Sequence, residues 1–209
     1  DDVGVEQGWF NKTLDDTLFL PGSTSSNGKG DDITVDTKWT GSVIDKSWYT
    51  DDKYAKYREK DNLKTVFWLQ PIKAYLGAAW YSTDFSIDQA QLQLILERPH
   101  WETTVWVDGV EVGMDNSLST AHVYELPALK AGNHKLAIRV DNRMKNINVG
   151  ENAHSISDHT QSNWNGIVGE IALVPRSQVF IENIKTYPNL DKKEVRVLAI
   201  SALNLHEKS

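Results

Sequence analysis

Between residues 154 and 165 the sequence reads HSISDHTQSNWN, so imidazole, carboxylate, hydroxyl, amide and indole groups crowd one short stretch. His154, Asp158 and His159 have the residue types of a two-histidine, one-carboxylate metal site. On a loop, however, a spacing of four guarantees no common face, and His and Asp among Asn and Ser usually satisfy backbone groups. The reading is therefore no metal ion, with a structural calcium held by carbonyls and Asp left open. Nucleophilic catalysis finds no G-x-S-x-G elbow. Ser155, Ser157, Asp158 and His159 lie too close in sequence for a triad, whose partners come from separate elements.

Glycoside hydrolysis needs two carboxylates about 5–5.5 Å apart for retention or about 6.5–9.5 Å for inversion. The chain has 29 acidic residues, and no local motif selects a pair. Sugar binding fits the inventory better. Hydroxyls call for Asn, Gln, Asp, His and Arg, and the apolar face of a pyranose calls for Trp or Tyr. The stretch 143–164 carries that set, as do His100-Trp101 and Trp48-Tyr49. A satisfied structural loop is the competing reading.

The elements that must position these groups are strands. No long amphipathic helix is legible, and a period of two is. In QLQLILE (91–97) Leu92, Leu94 and Leu96 face one way, and Gln91, Gln93 and Glu97 the other. In HKLAIRV (134–140) Leu136, Ile138 and Val140 alternate with Lys135, Ala137 and Arg139. In 103–113 two β-rich runs flank Asp108-Gly109, the signal of a two-residue type I′ hairpin. Further strands are expected near 63–69, 79–87, 121–126 and 166–174. Residues 21–32 are turn-rich. Residues 45–64 read as a solvated connection or a short helix. The stretch 141–165 is a long polar loop, a kind often functional in compact domains.

With 209 residues the chain is one large domain, or one domain and a piece of another. A net charge of -7 argues against a nucleic-acid partner. No apolar run reaches the roughly 20 residues that span a bilayer, so no membrane partner is expected. Cysteine is absent, which excludes disulfides and thiolate chemistry. The chain begins at Asp1 and is read as a mature or trimmed form, with a periplasmic or secreted location expected. Trp is abundant, 8 beside 7 Tyr and 5 Phe. Most of these indoles are assigned to the core, since they fit a Trp-rich β interior. Near Pro175 the pattern restarts. Two strands around a turn at Pro188–Asp191 are too little chain to bury a core alone.

Five stretches in order carry a resemblance: YLGAAWYSTDFSI (75–87), LERPHWETTVWVDGVEVG (96–113), STAHVYELPAL (119–129), GNHKLAIRVDN (132–142) and SDHTQSNWNGIVGEIAL (157–173). Together they resemble the N-terminal sugar-binding domain of glycoside hydrolase family 2, the β-galactosidase and β-glucuronidase family, in its Bacteroidetes variant. The match covers residues 60–175. It implies an all-β fold: an antiparallel jelly-roll β-sandwich of the galactose-binding type over 1–176. It also implies that 177–209 begin an immunoglobulin-like sandwich, with a catalytic TIM barrel beyond. That barrel carries the family's two catalytic glutamates, so this chain is expected to be non-catalytic and to need no cofactor. In related β-galactosidases an acidic residue just before the Gly-Ile strand reaches the substrate or a cation. The counterpart region here is 158–163, at a different spacing. An Asn motif of some β-galactosidases has no match in 40–62.

The candidate carbohydrate-contacting residues are Asp158, His159, Gln161, Asn163, Arg143, His100 and Trp101. Trp164 is expected half-buried at the foot of the loop, because Gly166-Ile167 starts a core strand. The expected partners are a carbohydrate and the missing immunoglobulin-like and barrel domains. A free-standing carbohydrate-binding module is the alternative, and a structural or protein-interaction sandwich a third reading.

Overall fold

The computed structural model describes residues 3–37, 50–64, 71–88, 91–145, 163–177 and 179–203. Among them lie strands β1 (Gly22–Ser23), β2 (Ala78–Ile87), β3 (Leu92–Leu96), β4 (Pro99–His100), β5 (Glu102–Val107) and β6 (Val110–Asp115). The rest are β7 (His122–Glu125), β8 (Gly132–Asp141), β9 (Gly166–Ile167), β10 (Ile171–Pro175), β11 (Val179–Asn189) and β12 (Glu194–Leu203). Among the described residues the helical elements are one short turn, α1 (Val3–Glu6), and a few 3-10 turns. No helix among the described residues is long and apolar enough to cross a membrane.

The chain folds as an all-β sandwich. One sheet has the order β2-β8-β5-β6 and the other β10-β3-β7, all antiparallel. Alternation places Tyr81, Val105, Val107, Leu136, Ile138 and Val140 on the inner face of the first sheet. Leu92, Leu94, Leu96 and Tyr124 meet them from the second. Fully burying a Leu, Val or Ile contributes about 1.5–3 kcal/mol. Those inner positions therefore hold the sheets together and fix the register, because a one-residue slip would turn them to solvent.

Part of the outer face of the four-stranded sheet is buried too, which alternation alone does not foretell. Trp80 and Trp106 stack at 5.0 Å, and Phe10 stacks on Trp106 at 5.5 Å. Trp9 meets Trp80 edge-on. The 3-10 turn Trp9–Asn11 thus caps the sheet, and Ala137 and Arg139 are buried beneath it at 1% and 7% exposure. Gly4 lies against the Trp80 indole, where any Cβ would collide with the ring.

The Asp108-Gly109 turn forms as expected, with φ of 50° and 78°. Asp108 also grips the next strand pair. Its Oδ1 accepts from the Lys135 amide at 2.9 Å, and its Oδ2 lies 2.7 Å from His134 Nδ1. That hydrogen bond raises the His134 pKa above its ordinary value. In an NMR titration His134 is expected to lose its proton at a higher pH than a free histidine. Asp108→Asn should move the midpoint down. The ion pair therefore helps below the ordinary histidine pKa and is lost as pH rises through the folded one.

Three expectations need correction. The stretch 166–174 is two strands, not one, in different sheets: β9 pairs with β1 and β4, and β10 with β3. Gly169 makes the break. Its amide donates to Glu97 O at 3.0 Å, and a Cβ there would sit 2.6 Å from the same oxygen. The tail turn lies later than Pro188–Asp191: Pro188 and Asn189 still pair with Val195 and Glu194, and the chain reverses at 190–193. A two-stranded ribbon leaves each strand a free edge, where a proline is tolerated. In the turn-rich 21–32 stretch, Gly22–Ser23 join the small sheet β1-β9-β4. The described part of 45–64 forms 3-10 turns at Asp52–Tyr57 and Lys60–Asn62. Residues 63–64 are not in a strand, and the rest of the expected 63–69 strand lies outside the described residues.

Candidate functional site

The chain leaves β8 at Asp141, and its described course resumes at Asn163. At the exit, Asp141 is fully buried on the outer face of its sheet. It stands opposite Glu102 of β5, a like-charge pair that would repel. Three cations resolve the repulsion. Arg139 donates to Asp141 Oδ2 at 2.7 Å and to Glu102 Oε1 at 3.2 Å. Arg143 Nε and Nη2 reach the Asp141 carboxylate at 3.0 and 2.6 Å, and its backbone amide adds a bond at 2.9 Å. Lys145 pairs with both carboxylates. Burial would raise the Asp141 pKa, but the hydrogen bonds from Arg143 and Lys145 outweigh it and hold the carboxyl well below its ordinary value.

At the return, three asparagines stitch the two ends together. Asn142 Nδ2 donates to Tyr75 O at 2.8 Å, and its Oδ1 accepts from the Gly77 amide at 2.8 Å. Asn163 Nδ2 donates to Asn142 O at 2.6 Å. Asn165 Nδ2 donates to Gly77 O and Val140 O, both at 2.9 Å, while its Oδ1 accepts from the Tyr81 hydroxyl at 3.2 Å. Asn142 and Asn165 are fully buried. A buried amide in hydrogen-bond contact with backbone groups does what a strand pairing does elsewhere, where the chain is irregular.

His100 stacks on Trp164 with ring centroids 4.5 Å apart, and its Nδ1 donates to Trp164 O at 2.7 Å. Trp164 is half-buried, as expected, and Ile167 is wholly so. His100→Phe keeps the stack and removes the donor. It should cost about 1–2 kcal/mol in urea unfolding, the price of an unsatisfied carbonyl rather than of lost packing.

Of the seven residues singled out from the sequence, Asp158, His159 and Gln161 lie outside the described residues. Asn163, His100 and Trp101 are buried at 9%, 6% and 1% exposure. Arg143 keeps 30% of its side chain exposed. The structure therefore brings Arg143, Asn163 and His100 together at the loop's foot. Sequence reasoning missed Asp141, Glu102, Arg139, Lys145, Asn142 and Asn165. The signal available was the run of charges at alternate positions, Arg139, Asp141 and Arg143. His154 also lies outside the described residues; among those described, no group of three His, Asp or Glu side chains could hold a metal ion.

No protein-family model matches the sequence, and no curated protein matches it. Solved structures do match its fold. A Ruminococcus gnavus β-glucuronidase in complex with uronic deoxynojirimycin superposes with a TM-score of 0.63 at 12% identity. The match covers 98% of this chain and 32% of that one. The apo structure of a β-glucuronidase from the same organism gives 0.62 at 12%, over 97% and 31%. A β-glucuronidase from an uncultured Clostridium gives 0.58 at 17%, over 95% and 30%. The chain thus shares the fold of part of these enzymes and spans about a third of their length.

Proposed function

We propose that the chain is the non-catalytic N-terminal sugar-binding domain of a family 2 glycoside hydrolase that cleaves O-glycosidic bonds in complex glycans. The observation that carries the reading is the span of the structural likeness. Nearly the whole chain, exposed tail hairpin included, follows about a third of each β-glucuronidase. The five ordered sequence stretches point the same way. Within this reading, residues 1–176 are a jelly roll, and 177–209 open an immunoglobulin-like sandwich. Exposed apolar side chains on β11 and β12, among them Val179, Ile184, Val195 and Val197, suit strands that await further sheet. The retaining chemistry belongs to a TIM barrel beyond residue 209, and the jelly roll completes the rim of its active site.

Arg143 and the loop residues Asp158, His159 and Gln161 are the proposed polar contacts to sugar or barrel. His100, Trp101 and Asn163 hold the loop's foot. A periplasmic or secreted location belongs to the same proposal. The matched enzymes come from Ruminococcus and Clostridium, so they lend no support to a Bacteroidetes variant.

The test compares this chain with a longer one that carries the barrel, on nitrophenyl β-glucuronide and β-galactoside. Hydrolysis is expected from the longer chain alone. Turnover by residues 1–209 would overturn the non-catalytic assignment. Tight glycan binding by a gene product that ends without a barrel would favour the free-standing module.

A further inference from the structure

β6 and β7 belong to different sheets, and residues 116–121 carry the chain from one to the other. His122, the first residue of β7, is wholly buried, and so is Thr103 of β5. Thr103 Oγ1 lies 2.6 Å from His122 Nδ1 and 2.6 Å from the Tyr124 hydroxyl. His122 Nε2 lies 2.9 Å from the carbonyl oxygen of Ser117. Asp115 Oδ1 is 3.6 Å from the same Nε2 and accepts from the Ser117 amide at 2.9 Å. With 37% of its side chain exposed, Asp115 connects the buried ring with solvent. The titratable groups set against the imidazole are thus Asp115 of β6 and Tyr124 of its own strand. β5 adds the Thr103 hydroxyl, with Val140 of β8 beside it, and β3 sets Leu96 opposite His122 and Leu94 opposite Tyr124.

The partners fix where the protons are. Ser117 O only accepts, so Nε2 carries a hydrogen, and in a neutral imidazole Nδ1 is then an acceptor. The hydrogen bonds run one way, from Tyr124 to Thr103, from Thr103 to His122 and from His122 to Ser117. Burial pushes the Tyr124 hydroxyl up to about 12, so it keeps its proton. A second proton on the ring makes Nδ1 a donor and turns the chain round. Nδ1 then donates to Thr103 Oγ1, the Thr103 hydroxyl to the Tyr124 oxygen, and the Tyr124 hydroxyl to Thr103 O, 3.2 Å away. No buried donor loses its acceptor in either state, so neither carries the cost of an unmade bond. The protonated ring also attracts the Asp115 carboxylate, and its bond to Ser117 O becomes charge-assisted and stronger. We propose that His122 is a pH-responsive latch on the 116–121 connection, whose protonation reverses the Tyr124–Thr103–His122 chain and tightens the connection as pH falls. The latch adjoins the ion cluster, since β5 places Thr103 in the one and the neighbouring Glu102 in the other.

The experiment follows the ring nitrogens and backbone amides of the isotope-labelled 209-residue chain by NMR, from about pH 7.5 to about 5, across the ordinary histidine range. At the upper end His122 Nδ1 should resonate as a bare acceptor and Nε2 as a protonated nitrogen. On acidification Nδ1 should take a proton in the folded chain, and the backbone motion of 116–120 seen in nitrogen relaxation should diminish. Asp115→Asn keeps an acceptor for the Ser117 amide and removes the charge, so it should lose most of that tightening. His122→Gln cannot take the proton and should lose all of it. If His122→Gln fails to fold, Asp115→Asn decides alone. A merely structural histidine would leave 116–120 equally ordered at both ends of the titration, which overturns the proposal. So does a proton on Nδ1 already at the upper end, a ring still neutral at the lower end, unfolding as the ring is protonated, or undiminished tightening in Asp115→Asn. Glycosidase activity in a longer chain, or its absence, would leave these outcomes untouched.

Discussion

Asp141→Ala is expected to lower the unfolding free energy by about 3–5 kcal/mol, the cost of removing one partner from a buried ionic network. The wild-type carboxylate is fully buried and touches Arg139, Arg143 and Lys145. Without it only Glu102 remains to pair with Arg139 and Lys145, and the Arg139 guanidinium, 8% exposed, stays desolvated. An exposed ion pair contributes about 0–1 kcal/mol, so a loss that small in a urea titration would show that water reaches the site and sink the argument. Asp141→Asn separates charge from shape, since it keeps the volume and some acceptor capacity and should fall between wild type and Ala. The pH dependence has a definite sign. Asp141 titrates below its ordinary value in the folded chain, so its contribution is complete above the unfolded carboxylate pKa, near 4. It is lost as pH falls from there toward the folded pKa. Acid unfolding should therefore be delayed in wild type and the stability difference from Asp141→Asn should shrink on acidification.

The same cluster shows what a sequence does and does not disclose. β3, β5, β6 and β8 are legible because their apolar residues alternate and Asp108-Gly109 permits positive φ at both turn positions. Arg139 was readable as outward-facing, and it does point to the outer face. Its burial was not readable, because the cover comes from Trp9 and Phe10, far away in the chain. Local pattern carries no information about which remote segment lies on a sheet. The division of 166–174 was hidden for a related reason: the break at Gly169 depends on how closely Glu97 approaches. Of Asn142, Asn163 and Asn165 only Asn163 stands out in the sequence as a candidate sugar contact, and an amide bonded to backbone has the same letter as one waiting for a sugar. The foot of the candidate site is thus explained by packing, while Asp158, His159 and Gln161 lie outside the described residues.

The foot also depends on a residue with no side chain. Gly166 has φ 145°, and a Cβ there would strike Gly22 O and lie 2.7 Å from Ser23 Cα. Both obstacles are backbone, so no rotamer change relieves them. Gly132 provides the control: its φ is 138°, and a Cβ there would meet nothing within 4 Å. Gly132→Ala should cost only the conformational strain, about 1–3 kcal/mol. Gly166→Ala adds the forced separation of β1 from β9, a further 1–3 kcal/mol or so by the usual scale of overpacking. The separation also reaches the loop. Thr24 donates to Asn165 O from its amide at 2.8 Å and from its hydroxyl at 3.3 Å, so moving β1 slackens the residue that ties the returning chain to Gly77 and Val140. Limited proteolysis within 141–165 should therefore accelerate in Gly166→Ala and stay at the wild-type rate in Gly132→Ala, even under conditions where both variants remain folded. Equal acceleration in the two would mean that global stability, and not the β1–β9 contact, governs how firmly the loop is held.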